Sequence, residues 1–544
     1  KIEFDLSIIA YPGQEVVSNG VLIEKEEKGE KFIWHFEMTE PMSSYLVAVV
    51  MGDYRKIKYV SDSGIPMELY YYPTDSMKVL STYKYSKEIF NYLEEEIGVK
   101  FPWPVYRQVP VKDFLYAGME NTMATIFSDQ FVVDRNGFID RNYVSVNAHE
   151  LAHQWFGDYV TATSGTHHWL QEGFATYYAL LAERKVFGDD YYYWQLYKSA
   201  EELKALSDKG KGERLLDPKA SSLTFYQKGA WALHILRDEI GDEAFRTGIK
   251  SYLNNFKYKN ASTEDFLKEM RKSSGMDLIE FEKNWLQQTA FQDKAALEVL
   301  KKSPIIQKYM RVVALRNVPF SQKQNKLLDL LALPDEYTGQ EAVYQLADVS
   351  PAAASRVYER AFYTNNPWVR QAIARTVQKV PVEMKTNYER LLNDDSYITR
   401  EQALLNLWSS FPSDRHKYLN QMKGVQGFSD HNIEITWLAL AISTLDYEEA
   451  FIRDHFFRLT RFTGNRNSYA TRQNAFEKLY QLQLFEPKSL ENLVDGCFHI
   501  NWRFSESCKN ILNMLLKDPE WKKELKKLDL KDEKQRKFLA EKLV

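Results

Sequence analysis

The sequence predicts a multidomain α+β protein: the remainder of an N-terminal β domain at residues 1–60, a mixed domain at 61–297, and a C-terminal α-helical solenoid of HEAT or armadillo type at 298–544. Three observations lead there. Apolar and polar residues alternate through the first sixty positions, as in half-buried strands. Helical spacing then mixes with strand-like runs. Beyond about residue 298 the pattern is almost wholly helical and carries a weak internal repeat. Thr399-Arg400-Glu401-Gln402-Ala403-Leu404 is echoed by Thr471-Arg472-Gln473-Asn474-Ala475-Phe476, and Val369-Arg370-Gln371-Ala372 is a looser copy. The offsets suit helix pairs of roughly 30–36 residues, the unit of an α-solenoid.

In order, Ile2, Phe4, Leu6 and Ile8 mark a first strand, and Phe32, Trp34 and Phe36 another. Tyr45–Met51 reads as a buried strand closed by Gly52-Asp53. Ile65–Tyr72 is strand-like, Ser76–Ile97 is helical and stops before Gly98, and Trp103–Pro110 is extended. Ala117–Asn121, reading A-G-M-E-N, precedes a strand at Ala124–Phe127 and is a candidate edge-strand binding segment. Helices are expected at Arg141–Phe156, His168–Phe187, Tyr191–Ala205, Leu223–Gly241, Asp242–Phe256 and Ser262–Lys272, with Ser262 as an N-cap.

A length of 544 residues exceeds one core and gives a prior of roughly three or four domains. A net charge of -4 leaves no basic excess to neutralise phosphates, so nucleic acid is excluded as the main partner. No apolar run approaches the roughly 20 residues of a membrane helix, so no transmembrane segment is expected. Cys497 and Cys508 imply no disulfide framework and read as buried thiols. The chain starts at Lys1 directly in a strand pattern, so upstream strands and any signal peptide are expected to lie outside it. The compartment is therefore not legible, with the cytoplasm slightly favoured, and a monomer is expected.

The chemistry is concentrated in Val146–Tyr177. His149, Glu150 and His153 form H-E-x-x-H, and Glu172 follows 18 residues after the second histidine. Positions i and i+4 share a helix face, so both imidazoles can reach one ion. Two imidazoles and a later carboxylate are the three protein ligands of a hydrolytic zinc site, one Zn2+ per chain, with the fourth position left for water. Glu150 stands one step further round, near the ion without having to ligate it, and is the candidate general base.

Four blocks carry a resemblance: Ala117-Gly118-Met119-Glu120-Asn121, His149–His153 with Gln154-Trp155-Phe156-Gly157, Trp169-Leu170-Gln171-Glu172-Gly173-Phe174, and Tyr226-Gln227-Lys228-Gly229-Ala230. In these the sequence is similar to the zinc aminopeptidases of the aminopeptidase N and leukotriene hydrolase family, the gluzincin aminopeptidases. The resemblance implies a thermolysin-like catalytic domain at 61–297 that releases N-terminal amino acids from peptides with a free N-terminus. It implies His149, His153 and Glu172 as zinc ligands, Glu150 as base and Tyr226 as donor to the oxyanion. Glu120 would bind the substrate ammonium, Ala117 and Gly118 would offer backbone, Met119 would stand near the first side-chain pocket, and Asn121 completes the block. The solenoid would wall the site.

The sequence departs from the family pattern at several points. Gly-Ala in the first block is Ala-Gly here. The family's second amine-binding residue belongs to a segment upstream of Lys1, and its further β-sandwich is expected to be skipped after Trp285-Leu286, where the pattern passes almost directly into helices. Pro218 stands eight before Tyr226, where a lipid epoxide hydrolase would want an acid, so that activity is not supported. A thermolysin-type endopeptidase and a catalytically impaired peptide-binding scaffold are the alternatives.

Overall fold

The alternation at the front of the chain resolves into antiparallel strands. The computed structural model describes residues 1–543 and divides into two compact units. The first comprises Lys1–Val111, Tyr116–Val132 and Asn142–Met310. It begins with β1 (Ile2–Ala10), β2 (Glu15–Ser18), β3 (Val21–Lys28), β4 (Lys31–Met42) and β5 (Val49–Gly52). These form a three-stranded sheet in the order β1-β4-β3 and a β2-β5 pair. Trp34, Phe36 and Met38 point inward at every second position of β4, the two-residue period of a strand.

The expected buried strand at Tyr45–Met51 needs correction. Ser44–Leu46 is a 3-10 turn, and only Val49–Gly52 is strand. That strand pairs with β2, and its alternating side chains put Val49 and Met51 on an exposed face and only Val50 inward. The turn frees Tyr45 for another use, described below.

Five strands build the sheet beneath the candidate site. After β6 (Arg55–Val60) and β7 (Pro66–Tyr71) come β8 (Tyr106–Val111), the two-residue β9 (Gly118–Met119) and β10 (Ala124–Ser128), in the order β6-β7-β8-β10-β9. Thus β9 is the sheet edge, held antiparallel to β10 by the pairs Met119–Ile126 and Gly118–Phe127. The helix expected at Ser76–Ile97 is interrupted: a short turn ends at Thr82, and a new helix runs from Ser86 to Ile97, stopped by Gly98 in the left-handed conformation.

Two helices carry the H-E-x-x-H motif and the later glutamate. The motif helix, Val144–His153, is shorter than expected. The ligand helix, Trp169–Phe187, is buried at every position from Trp169 to Glu183. A helix buried all round needs packing all round, and Phe156, Tyr252 and Phe266 gather about its own Phe174, with Trp169 beside it, in a cluster of ring contacts. Between the two helices lies β11 (Val160–Ala162), paired in parallel with β12 (Lys259–Ala261). A flanking helix covers Asp189–Asp208, and further helices cover Gly229–Ile240, Asp242–Phe256 and Thr263–Ser274. The last is opened by Ser262 and Asp265 in a reciprocal capping box.

The second unit comprises Lys112–Leu115, Val133–Arg141 and Arg311–Val544, and its elements are helices. The repeated segments occupy equivalent places in three of them. Asn366, Ser396 and Ser468 cap Pro367–Thr376, Tyr397–Ser410 and Tyr469–Leu482 through their side chains. The repeat alanines Ala372, Ala403 and Ala475 are fully buried about two turns after their caps. Cys497 and Cys508 are buried free thiols. Among the described residues no helix is long and apolar enough to cross a membrane.

Candidate metal centre

His149 and His153 come from the motif helix and Glu172 from the first turn of the ligand helix, and the three bring their donor atoms to one point. His149 Nε2 lies 3.1 Å from His153 Nε2. Glu172 Oε2 lies 3.4 Å from the first and 3.3 Å from the second. Donors held about 2.0–2.1 Å from a zinc ion in a tetrahedron are about 3.3–3.4 Å apart, so the triangle has the size of one tetrahedral face. Glu172 Oε2 is buried and accepts no hydrogen bond from the protein, which leaves its lone pairs for a cation. His153 Nδ1 is 2.9 Å from the Phe156 carbonyl oxygen. Because a carbonyl only accepts, Nδ1 carries the proton and Nε2 presents its lone pair to the triangle. On these grounds the residues fit a metal.

The charges around the triangle agree. Burial pulls the His149 imidazole below its ordinary range. Burial acts the same way on His153, but the Glu172 and Glu120 carboxylates outweigh it and hold that ring well above its range. Burial works to raise the Glu172 carboxyl, yet the two imidazoles hold it well below the usual carboxylate range. Glu150 is pushed well above that range by burial, with Glu120 and Glu172 adding to the effect. A second set of donors, Glu120, Glu150 and His153, also lies close together. The centre is thus rich in carboxyls that a divalent cation would compensate.

Tyr226 reaches the centre from a π-helical turn, Thr224–Lys228. Its ring stacks on His149 at 5.3 Å between centroids and 5° between planes. Burial first, then the Glu172 charge and a hydrogen bond to that carboxylate, raise its phenol well above the ordinary range. The turn is pinned beneath: Lys228 Nζ donates to the carbonyls of Glu213 at 2.7 Å and Gln288 at 2.6 Å, and Thr224 Oγ1 donates to Glu213 Oε2 at 2.6 Å. Burial lowers the Lys228 ammonium to about 8. One-turn π segments concentrate at functional sites.

The A-G-M-E-N block runs along the same cavity, of about 880 Å³, where Ala117, Gly118, Met119 and Glu120 join His149, Glu150 and Tyr226. Gly118 avoids the left-handed region, so glycine supplies room here rather than backbone freedom. A β-carbon at that position would lie 2.6 Å from Cγ and Cδ of Glu150. Asn121 does not line the cavity; its side chain is buried and donates to the Leu46 carbonyl at 3.1 Å, fixing the segment from behind. Gln154, directly after the motif, donates to the Glu120 carbonyl at 3.1 Å and accepts from the Met123 amide at 2.9 Å. Tyr45 was not anticipated. Its hydroxyl accepts from Gln171 Nε2 at 2.9 Å and lies 3.3 Å from Glu120 Oε1, to which it donates.

A buried triangle of two imidazoles and a carboxylate, with a further carboxyl and a phenol beside it in one cavity, is the donor set of a mononuclear hydrolytic zinc centre. Residues 81–285 match the Peptidase family M1 domain. "Probable aminopeptidase 2" of Sulfurisphaera tokodaii is 30% identical over 299 residues, 53% of this chain and 38% of the relative. "Aminopeptidase 2, mitochondrial" of Saccharomyces cerevisiae is 25% identical over 539 residues, 93% of this chain and 51% of the relative. Glutamyl aminopeptidase of Sus scrofa is 29% identical over 307 residues, 54% of this chain and 32% of the relative. The chain thus spans about a third to a half of the length of the curated relatives it matches.

Proposed function

We propose that the chain is a zinc-dependent aminopeptidase that releases amino acids one at a time from peptides with a free N-terminus. One observation carries the reading: the Glu120 carboxylate, at the end of edge strand β9, shares a cavity with the metal-sized triangle of His149, His153 and Glu172. An acid fixed one residue's reach from the hydrolytic centre selects the ammonium of a chain end, so the first peptide bond is the one that reacts.

In this reading His149, His153 and Glu172 hold zinc, which when bound polarises the scissile carbonyl and makes water acidic enough to attack near neutral pH. Glu150 takes the proton of the attacking water and gives it to the departing amide nitrogen. The Tyr226 hydroxyl donates to the oxygen that gains charge as the carbonyl carbon becomes tetrahedral. Tyr45, held by Gln171, steadies Glu120. Ala117 and Gly118 offer main chain to the substrate along an open sheet edge, and Met119 and Tyr116 border the first side-chain pocket.

We also read the helical region from about residue 298 as a HEAT- or armadillo-like solenoid. Support comes from alternate helices lying side by side, Pro367–Thr376 against Tyr397–Ser410 and so on through Asn432–Ile442, Tyr469–Leu482 and Trp502–Leu515.

The test is zinc analysis with a panel of free and N-acetylated peptides. Free peptides should lose their first residue and acetylated ones should be inert. Acetylated and free peptides cut equally fast would overturn the reading, and cleavage inside a blocked peptide would select the endopeptidase alternative.

A further inference from the structure

The cavity continues past the metal triangle, away from Glu120. Glu172, Thr176, Ala179 and Glu183 of the ligand helix all line it; their spacing is that of one helical face. At about 1.5 Å per residue, Glu183 lies about 16 Å along the axis from Glu172. Glu120 stands at the opposite end, joined through Tyr45 to Gln171 in the helix's first turn. A peptide with its ammonium at Glu120 and its first carbonyl at the triangle therefore runs its later residues toward Glu183.

Two observations make that far end a built surface. The Thr176 hydroxyl is buried and has no hydrogen-bond partner in the protein, although its residue lines the cavity one turn beyond Glu172. Glu183 is itself 4% exposed. Its carboxylate is held in place by the Tyr191 hydroxyl at 2.9 Å and by the Ser145 hydroxyl. Burial raises this carboxyl to about 7, and Lys198 from the flanking helix draws it partly back. Glu202 from that helix lines the same end. Glu202 offsets Lys198, so the part-ionised Glu183 leaves the far end a fractional acidic excess near neutral pH. A buried carboxyl whose charge is only part-compensated gains most from a cation that arrives with the ligand.

We infer that Glu183, with Glu202, forms a downstream subsite that selects peptides carrying lysine or arginine at the third or fourth residue. The position follows from length: about 16 Å is four to five residues of extended chain beyond the first, at about 3.3–3.6 Å each, and the reach of a long basic side chain shortens this by about two. The inference rests on the aminopeptidase reading of the metal end.

The experiment is a lysine walk. Release of the N-terminal alanine is measured from penta-alanine and from variants with lysine at position 2, 3, 4 or 5, and with glutamate at the same positions. Lysine at position 3 or 4 should raise kcat/KM about tenfold over alanine, as expected for one charge-assisted hydrogen bond, and glutamate there should lower it. In Glu183→Gln the lysine preference should shrink to within about twofold, a residue of general attraction to the remaining acids. Hydrolysis of all peptides at rates independent of the lysine position overturns the subsite and leaves the aminopeptidase reading standing. No alanine release from any of them overturns both. Should Glu183→Gln fail to fold, the comparison of lysine, alanine and glutamate on the unaltered chain still decides.

Discussion

Gly173 and Gly229 touch backbone to backbone. A β-carbon on Gly229 would lie 2.8 Å from the Gly173 α-carbon, and one on Gly173 would lie 2.9 Å from the Gly229 α-carbon. Gly173 directly follows Glu172, and Gly229 directly follows the π-helical turn that carries Tyr226. The contact therefore sets the distance between the phenol and the metal donors. Gly229→Ala should push these backbones apart and move Tyr226 off the centre. Zinc content should stay at one per chain while kcat falls by roughly 100-fold, the cost of a misplacement near 1 Å. Metal analysis beside steady-state kinetics checks it; loss of zinc together with activity would locate the damage at Glu172 instead.

Glu150→Gln keeps the shape of the side chain and removes its basicity. The proposed zinc ligands are other residues, so metal content should be unchanged and turnover should drop by about 10²–10⁴, the usual range for a general acid–base group. Wild-type turnover in this variant would remove Glu150 from the proton-transfer role.

Tyr226→Phe deletes one hydroxyl and leaves the stacking on His149. If that hydroxyl serves the developing oxyanion, kcat should fall by about 10²–10³ with KM nearly constant. A change in KM alone would make Tyr226 a substrate-positioning residue.

Chelation should do more than stop turnover. Without a cation, Glu172 Oε2 stays a buried acceptor without a donor and four buried carboxyls, on Glu120, Glu150, Asp158 and Glu172, share one region. Zinc binds the folded chain preferentially, so the melting temperature should fall on chelation and recover on adding zinc; at 100-fold excess over Kd the linkage is about 2.7 kcal/mol. A melting curve that ignores zinc would contradict the assignment of His149, His153 and Glu172.

The parts of the site legible in the sequence are those set by local spacing. Helical geometry alone puts His149 and His153 on one face, and the capping pair Ser262 and Asp265 is likewise a short-range pattern. Tyr45 was illegible because its apolar neighbours read as a strand, while the chain turns there and hands the phenol to Glu120. The π-helical turn under Tyr226 depends on Lys228 reaching two carbonyls, those of Glu213 and Gln288, and no local pattern encodes such a partner. The exchange of glycine and alanine at 117 and 118 has no reason legible in the sequence; the bulk of Glu150 beside Gly118 supplies one. In the helical unit the repeat was visible because a cap is followed four residues later by an arginine each time, at Asn366 and Arg370, Ser396 and Arg400, and Ser468 and Arg472.

Edge strand β9 has one side bonded to β10 and the other free of any strand. A ligand that docks by extending such an edge is read through its amides, and amides are the same for every side chain but not for every handedness. Broad tolerance of sequence and strict chirality then come from a single cause. Peptides with a D-residue or an N-methyl group near their start would be spared here for a reason unrelated to pocket size.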